Sequence, residues 1–301
     1  MTIDLQINQA NDYAQDIGAA VYHPHVSIIH YDEVGEIRHT LNRFNVFALF
    51  LQKEFPENLT YGMGRYDHQN GSLLAYSPGQ IGGKTDDGTK KQYHGWVLLF
   101  DTTFIQGTEI EKRLASYHFF SYNSNEALFL TEEEKDILAA MMEHIRYELR
   151  EHHEDVQSDD IIKDYILLIL DYCNRFYTRQ FKEQTKGNND ILARFQRLLN
   201  DYYTKGLQYQ HGIPSVRYCA SELYLSPGYF GDVIRNTLGE SPKDYIRGFV
   251  VMWAKNLLLS GQTISQVADH MGFEYPNHFT RLFKAATGKT PSQFLDEQQK
   301  K

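Results

Sequence analysis

Asn277, Thr280, Arg281 and Lys284 recur at steps of one, three and four residues, a spacing that brings side chains to one side of an α-helix. An amide, a hydroxyl, a guanidinium and an ammonium on one face form a donor set suited to nucleic acid. Arg and Asn pair bidentately with guanine and adenine edges in the major groove, while Lys and Thr suit phosphates. His278 lies beside them. The opposite side carries Phe279, Leu282, Phe283 and Ala286, an apolar stripe of helical period. A solvated amphipathic helix would show the same pattern, so the face acquires meaning only through the elements that hold it.

Those elements are legible in the preceding residues. Thr263 with Gln266 has the form of a capping box, and Ile264, Val267, Ala268 and Met271 make one apolar stripe of a short helix. Gly272 offers the left-handed residue that ends it. Thr290, Pro291 and Gln293 open a last short helix, with Pro at its favoured first position. The stretch Thr263 to Phe294 is therefore predicted to be a helix-turn-helix with its polar face outward.

The same pattern occurs earlier in the chain. Val216, Cys219, Ala220 and Leu223 match Ile264, Val267, Ala268 and Met271 at a separation of 48. Phe230, Val233, Ile234, Arg235, Gly239, Ser241 and Pro242 match Phe279, Leu282, Phe283, Lys284, Gly288, Thr290 and Pro291 at a separation of 49. The first unit's second helix opens at Ser226-Pro227, and its outer face carries Gly228, Gly231, Asp232 and Arg235. A long helix capped by Ser241, Pro242 and Asp244 joins the two units through Tyr245, Phe249, Trp253 and Leu257 to about Leu259. Another helix, from about Asp190 to Tyr203, precedes them.

With its IxxVAxxxGF segment (264–273), FxRxFK core (Phe279 to Lys284) and Gly288-Lys-Thr-Pro291 ending, the chain resembles AraC/XylS-type transcriptional regulators. The resemblance covers about 110 residues. It implies an all-α DNA-binding domain of about seven helices over 190–301, with two recognition helices roughly 34 Å apart in successive major grooves. It also implies a cupin-like N-terminal sensor, double-stranded DNA and RNA polymerase as partners, a small-molecule effector and a homodimer. Relatives usually place larger or basic side chains at one or more of the positions held here by Gly228, Gly231 and Asp232. Asp232 repels phosphates; it suits a cytosine amino group or an ion pair with a neighbouring cation.

The front half reads as β-rich, with apolar runs at 26–31, 45–51, 72–77 and 95–100 broken by Gly, Pro, Asn and Asp clusters. They predict a sandwich or a small barrel, and Gly71 with Pro78-Gly79 points to an antiparallel barrel of cupin type. Tyr61, Tyr66, His94 and Trp96 are the candidate lining of a small organic ligand site in its mouth, plain core packing being the other reading of the aromatics. Histidines occur at 23, 25, 30, 39, 68 and 94, but no Glu follows at metal-cupin spacing and Gln80-Ile81 follow Pro78-Gly79. No metal or cofactor is expected. Residues 1–20 read as a loose arm or short helix. Two helices are expected within 131–181: one capped by Thr131 with Glu134, the other capped by Ser158 and apolar over more than half its circumference, as a helix packed against its own domain and a second subunit, or one buried within a single chain, would be.

The fold class is thus α+β in two domains: a sensor and dimerisation domain over 1–181, a polar linker over 182–189 and a DNA-binding domain over 190–301. The net charge of −9 divides unevenly, with 13 Lys and Arg against 10 Asp and Glu over 187–301 and 17 against 29 elsewhere. The acidity belongs to the front half, and the modest excess of cations behind it calls for a few placed contacts and dimerisation. Two distant cysteines without ligand spacing exclude a disulfide framework and a zinc site. No apolar run is long enough to span a bilayer. A cytoplasmic, nucleoid-associated, non-enzymatic regulator is the leading expectation, with a catalytic cupin fused to a DNA-binding domain and a ligand-independent DNA-binding dimer as the alternatives.

Overall fold

The computed structural model describes residues 3–52, 71–122, 126–152, 155–183 and 185–299. Two compact units divide the chain, Met1–Glu183 and Gln184–Lys301.

In the first unit the chain runs through β1 (Leu5–Ile7), α1 (Asp12–Asp16), β2 (Val26–His30), β3 (Ile37–Arg38), β4 (Leu41–Phe44) and β5 (Phe47–Gln52). It continues with β6 (Ser72–Tyr76), β7 (Ile81–Gly83), β8 (Lys90–Lys91), β9 (Gly95–Phe100), α2 (Thr102–Ile105), α3 (Glu109–Arg113), β10 (Leu128–Phe129), α4 (Glu132–Glu151) and α5 (Ser158–Glu183). The described strands form a five-stranded antiparallel sheet in the order β10-β6-β5-β9-β2, a three-stranded sheet in the order β1-β4-β7 and the pair β3-β8.

The expected closed antiparallel barrel is not what these strands make. Their sheets are open among the described residues, and β1 pairs with β4 in parallel, Leu5 opposite Asn42. The apolar runs of β5 and β9 are buried on both faces by packing rather than by closure. One face shares a core with the three-stranded sheet, in which Ile7, Phe44, Ala48, Phe50, Val97 and Leu99 meet. Helix α4 lies across β2, β5 and β9 on the other. A strand covered on both sides loses its polar alternation, so the sequence pattern of a barrel and of a layered sheet is the same. Within 1–20, the described residues 3–20 hold β1 and the short helix α1, and Ile7, Ala10, Tyr13 and Ala14 are buried there.

Thr131 and Glu134 complete the capping box that starts α4. Ser158 does not cap; it is the first residue of α5, buried, and its Oγ finds no partner among the described residues. The two helices are joined by Arg179, which reaches Glu134 at 2.6 Å, and Arg113 grips Asp171 of α5 with two hydrogen bonds of 2.7 and 3.0 Å. One side of α5 is core, including Ile162, Ile166, Ile169 and Phe176, while Ile161 and Leu168 stay exposed.

In the second unit the helices are α6 (Thr185–Thr204), α7 (Gln208–His211), α8 (Val216–Glu222), α9 (Pro227–Leu238), α10 (Pro242–Leu259), α11 (Ile264–His270), α12 (Pro276–Thr287) and α13 (Pro291–Gln299). That is one more than the seven expected, the addition being the single turn α7. The stretch 182–189, read as a linker, is helical wherever it is described, because its polar residues do not forbid helix. Helix α10 turns its aliphatic side inward: Ile246, Val250, Ala254 and Leu258 are buried, while Tyr245, Phe249, Trp253 and Leu257 flank the core half-covered.

Gly95 shows how tightly the large sheet is assembled. Its φ is +120°, and an added Cβ would stand 2.0 Å from the Leu51 carbonyl oxygen. Gly95→Ala must therefore push β9 from β5, and is expected to lower stability by at least about 2 kcal/mol in urea denaturation.

Candidate nucleic-acid interface

The repeat seen in the sequence is a repeat of hydrogen bonds. In the first pair of helices, Tyr224 N donates to Ser221 O and Leu225 N to Ala220 O; in the second, Gly272 N donates to Asp269 O and Phe273 N to Ala268 O. Four residues join α8 to α9 and five join α11 to α12. The extra residue in the second turn is why the separation changes from 48 to 49 between the two halves of the motif.

Each pair is capped by local chemistry. Thr263 and Gln266 satisfy each other's backbone N–H groups at the start of α11, and Ser215 does this in part for α8. Ser226, buried, accepts from Tyr229 N at the start of α9; Tyr275 at the equivalent point of α12 makes no side-chain cap. Gly239 and Gly288 close the two helices in left-handed conformations with φ near +76° and +78°. Thr290 and Gln293 cap α13 reciprocally.

Phe279 and Phe283 anchor α12, both fully buried in a core with Val267, Ala268 and Met271. Burying that side turns Asn277, His278, Arg281 and Lys284 outward, all exposed, with Thr280 half-covered beside them. Asn277, Thr280, Arg281 and Lys284 make no side-chain hydrogen bond or ion pair among the described residues, and His278 rests its ring on Tyr275. Two unneutralised cations, an amide and a hydroxyl therefore project from a rigid helix.

The first pair is different. Gly228 is half-covered, Gly231 and Asp232 are buried, and Arg235 is exposed. Asp232 pairs with Arg235 one turn on. The Arg235 guanidinium also lies over Gly231, 3.2 Å from where a Cβ would stand. The outer face expected for this helix is thus largely covered, with its cation held by its own carboxylate.

The apolar period of α12 predicts Ala286 in its buried stripe, yet it and Ala285 are exposed. They line an open groove of about 750 Å³ between α12 and the start of α10, with His278, Arg281, Asp244 and Arg247. Arg247, 3.3 Å from Asp244, thereby joins Arg281 along one groove. Its helical position on α10 gave no hint of this, because the neighbour belongs to another helix. Hydrogen bonding from Ser241, aided by Arg247, lowers the Asp244 carboxyl below its ordinary range.

Of the four candidate ligand residues, His94 and Trp96 are among the described residues. Tyr61 and Tyr66 lie outside the described residues. Trp96 turns to the helix side of β9, its ring stacked on His30 at 4.2 Å and under the Arg146 guanidinium at 5.3 Å. His94 is exposed and pairs with Asp32, which also takes His30 at 3.0 Å. Strand alternation explains the outcome: Val97 and Leu99 face the core between the sheets, so Trp96 cannot. His25 pairs with Asp101 at 2.8 Å and His23 with Asp159 at 3.2 Å. Among the described residues no three His, Cys, Asp or Glu side chains gather as a metal site, and no helix is long and apolar enough to cross a membrane.

Residues 219–297 match the family model described as Helix-turn-helix domain. The chain is 28% identical over 108 residues to the HTH-type transcriptional regulator YobQ of Bacillus subtilis (strain 168), an alignment covering 31% of this chain and 44% of that protein. It is 28% identical over 88 residues to the transcriptional regulatory protein YesN of the same organism, covering 28% and 24%. The chain thus spans less than half the length of these curated relatives. Among solved structures it is similar to the C-terminal domain of AraT, a response regulator from Geobacillus stearothermophilus, at 24% identity and a TM-score of 0.31 over 36% of this chain and 84% of that one. It is also similar to ToxT from Vibrio cholerae O395, at 15% identity and a TM-score of 0.30 over 90% and 97%. Over residues 219–297 the chain is thus similar to helix-turn-helix domains.

The two turns offer a paired test of the repeat. Tyr224 occupies the left-handed position with φ +61° and its side chain is 82% exposed, while its counterpart Gly272 has φ +84° and would place a Cβ 2.9 Å from the Gly212 carbonyl carbon. Tyr224→Gly is expected to stabilise the C-terminal unit by about 1 kcal/mol and Gly272→Ala to destabilise it by about 2 kcal/mol. Urea denaturation followed by Trp253 fluorescence measures both.

Proposed function

We propose that this protein is a sequence-specific, DNA-binding transcriptional regulator in which α12 enters the major groove and supplies most of the affinity. The observation that carries this reading is the face of α12: Asn277, Arg281 and Lys284 are exposed and uncommitted on a helix whose other side is anchored by Phe279 and Phe283. The turn hydrogen bonds repeated between the two helix pairs support a second helix-turn-helix unit, with α9 as its recognition helix. Because Asp232 neutralises Arg235, that unit contributes a narrower reading.

The same reading assigns regulation to the first unit, through a small effector, and assigns activation through RNA polymerase to the DNA-bound state. A homodimer supplies the affinity that a modest positive charge does not. The exposed apolar side chains Ile161 and Leu168 of α5, with Tyr147 of α4, support that helix pair as its interface. Such a regulator works in the cytoplasm, at the nucleoid.

Arg281→Ala is expected to weaken binding to a selected site by about 1–3 kcal/mol and to relax discrimination at one base pair, whereas Lys284→Ala should weaken all sequences similarly and lower the salt dependence by about one phosphate contact. Fluorescence anisotropy with matched and singly substituted duplexes at several salt concentrations measures both. Unchanged affinity in Arg281→Ala would remove α12 from the reading role.

A further inference from the structure

A small cavity of about 90 Å³ lies within the first unit, among the aromatic residues between the two sheets. Tyr13, Tyr31, Phe50, Tyr76 and Tyr93 are among the residues that wall it. Asn42 lines it too. On β4 the side chains alternate, so Asn42 shares the inward face of Phe44 while Arg43 is exposed. Asn42 is only 5% exposed, and its Oδ1 has no hydrogen-bond partner among the described residues. A buried amide oxygen without a donor is costly, and native interiors satisfy nearly all such groups.

A second polar group is incompletely used. The hydroxyls of Tyr13 and Tyr31 meet at 2.7 Å, both fully enclosed. One proton lies between the oxygens, and the other remains to be donated elsewhere. Burial pushes both phenols well above their ordinary range, so they stay neutral donors. The wall also carries Arg38, turned to Asp86 at 3.4 Å, and His39, joined to the Tyr93 hydroxyl at 2.6 Å and lowered in pKa chiefly by burial. Arg38 is the one formal charge on the wall among the described residues and it is already paired with Asp86, so the largely aromatic interior suits a neutral ligand better than an ion.

We propose that this cavity is a binding site for a neutral organic molecule of about five non-hydrogen atoms, one whose N–H or O–H group donates to Asn42 Oδ1 and whose apolar body lies against Phe50 and Tyr76. The proposal deepens the effector reading of the first unit by naming a site and a ligand class. It is tested without DNA, so that its failure and a failure of the DNA-binding reading remain separate results.

Pyrrole and furan are the probes: five-membered aromatic rings of nearly equal size, of which pyrrole alone carries an N–H. The full chain, labelled with 15N at asparagine, is titrated with each while the Asn42 side-chain amide resonances are followed. Pyrrole is expected to shift them saturably and to bind roughly ten times more tightly than furan, the margin of one hydrogen bond. Asn42→Leu should remove that preference while leaving furan binding in place. The comparison on the unaltered protein stands even if the variant does not fold. Equal binding of the two rings, shifts that spare Asn42, or no saturable shift with either would overturn the proposal and leave the cavity to water.

Discussion

The burial of Phe279 and Phe283 in one face of α12 is the constraint on which the rest of the C-terminal unit depends. A twelve-residue helix cannot hold its orientation through its own hydrogen bonds. It is held because two aromatic rings, 5.6 Å apart and edge to face, lock into a core supplied by α11, α10 and α13. Once that side is committed, helical geometry leaves Asn277, Arg281 and Lys284 no place but solvent. The capping box at Thr263 and the left-handed Gly288 fix where the supporting elements begin and end. Polar face and core face are one feature seen from its two sides.

The same scaffold, repeated, carries different chemistry. In α9 the residues corresponding to the reading face are small or acidic, and the arginine among them is tied to Asp232. The turns that set the angle between helices are nearly the same in the two pairs, down to their backbone hydrogen bonds. The asymmetry therefore lies in the side chains and not in the frame. Arg247, brought to the groove beside Arg281 by α10, adds a cation on the side of the second pair.

Local patterns were legible wherever the interaction that makes them is local. The caps at Thr131, Ser226, Ser241 and Thr263 join residues three apart, and each occurs in the structure as its spacing implies. The four apolar runs of the front half are strands at their expected places. Long-range pairing was not legible. β1 is three residues long and pairs with β4 across 37 positions, so nothing near Leu5 announces it. The apolar runs of β5 and β9 do not say which face meets the second sheet and which meets α4, so the side of β9 that carries Trp96 is not legible from them. The cavity residues Tyr13, Tyr31, Asn42 and Tyr93 come from four separate segments that only the folded sheets bring together.

The central claim is that α12, assisted by α9, reads double-stranded DNA. Selection of bound duplexes from a random pool by the full-length protein, followed by sequencing, tests it most directly. The account predicts an enriched motif of two elements about one helical turn, roughly 10 base pairs, apart, one strongly specified and one weakly, with the strong element lost from pools selected by Arg281→Ala. Recovery of no motif above the starting pool, or of one indifferent to Arg281, would contradict it.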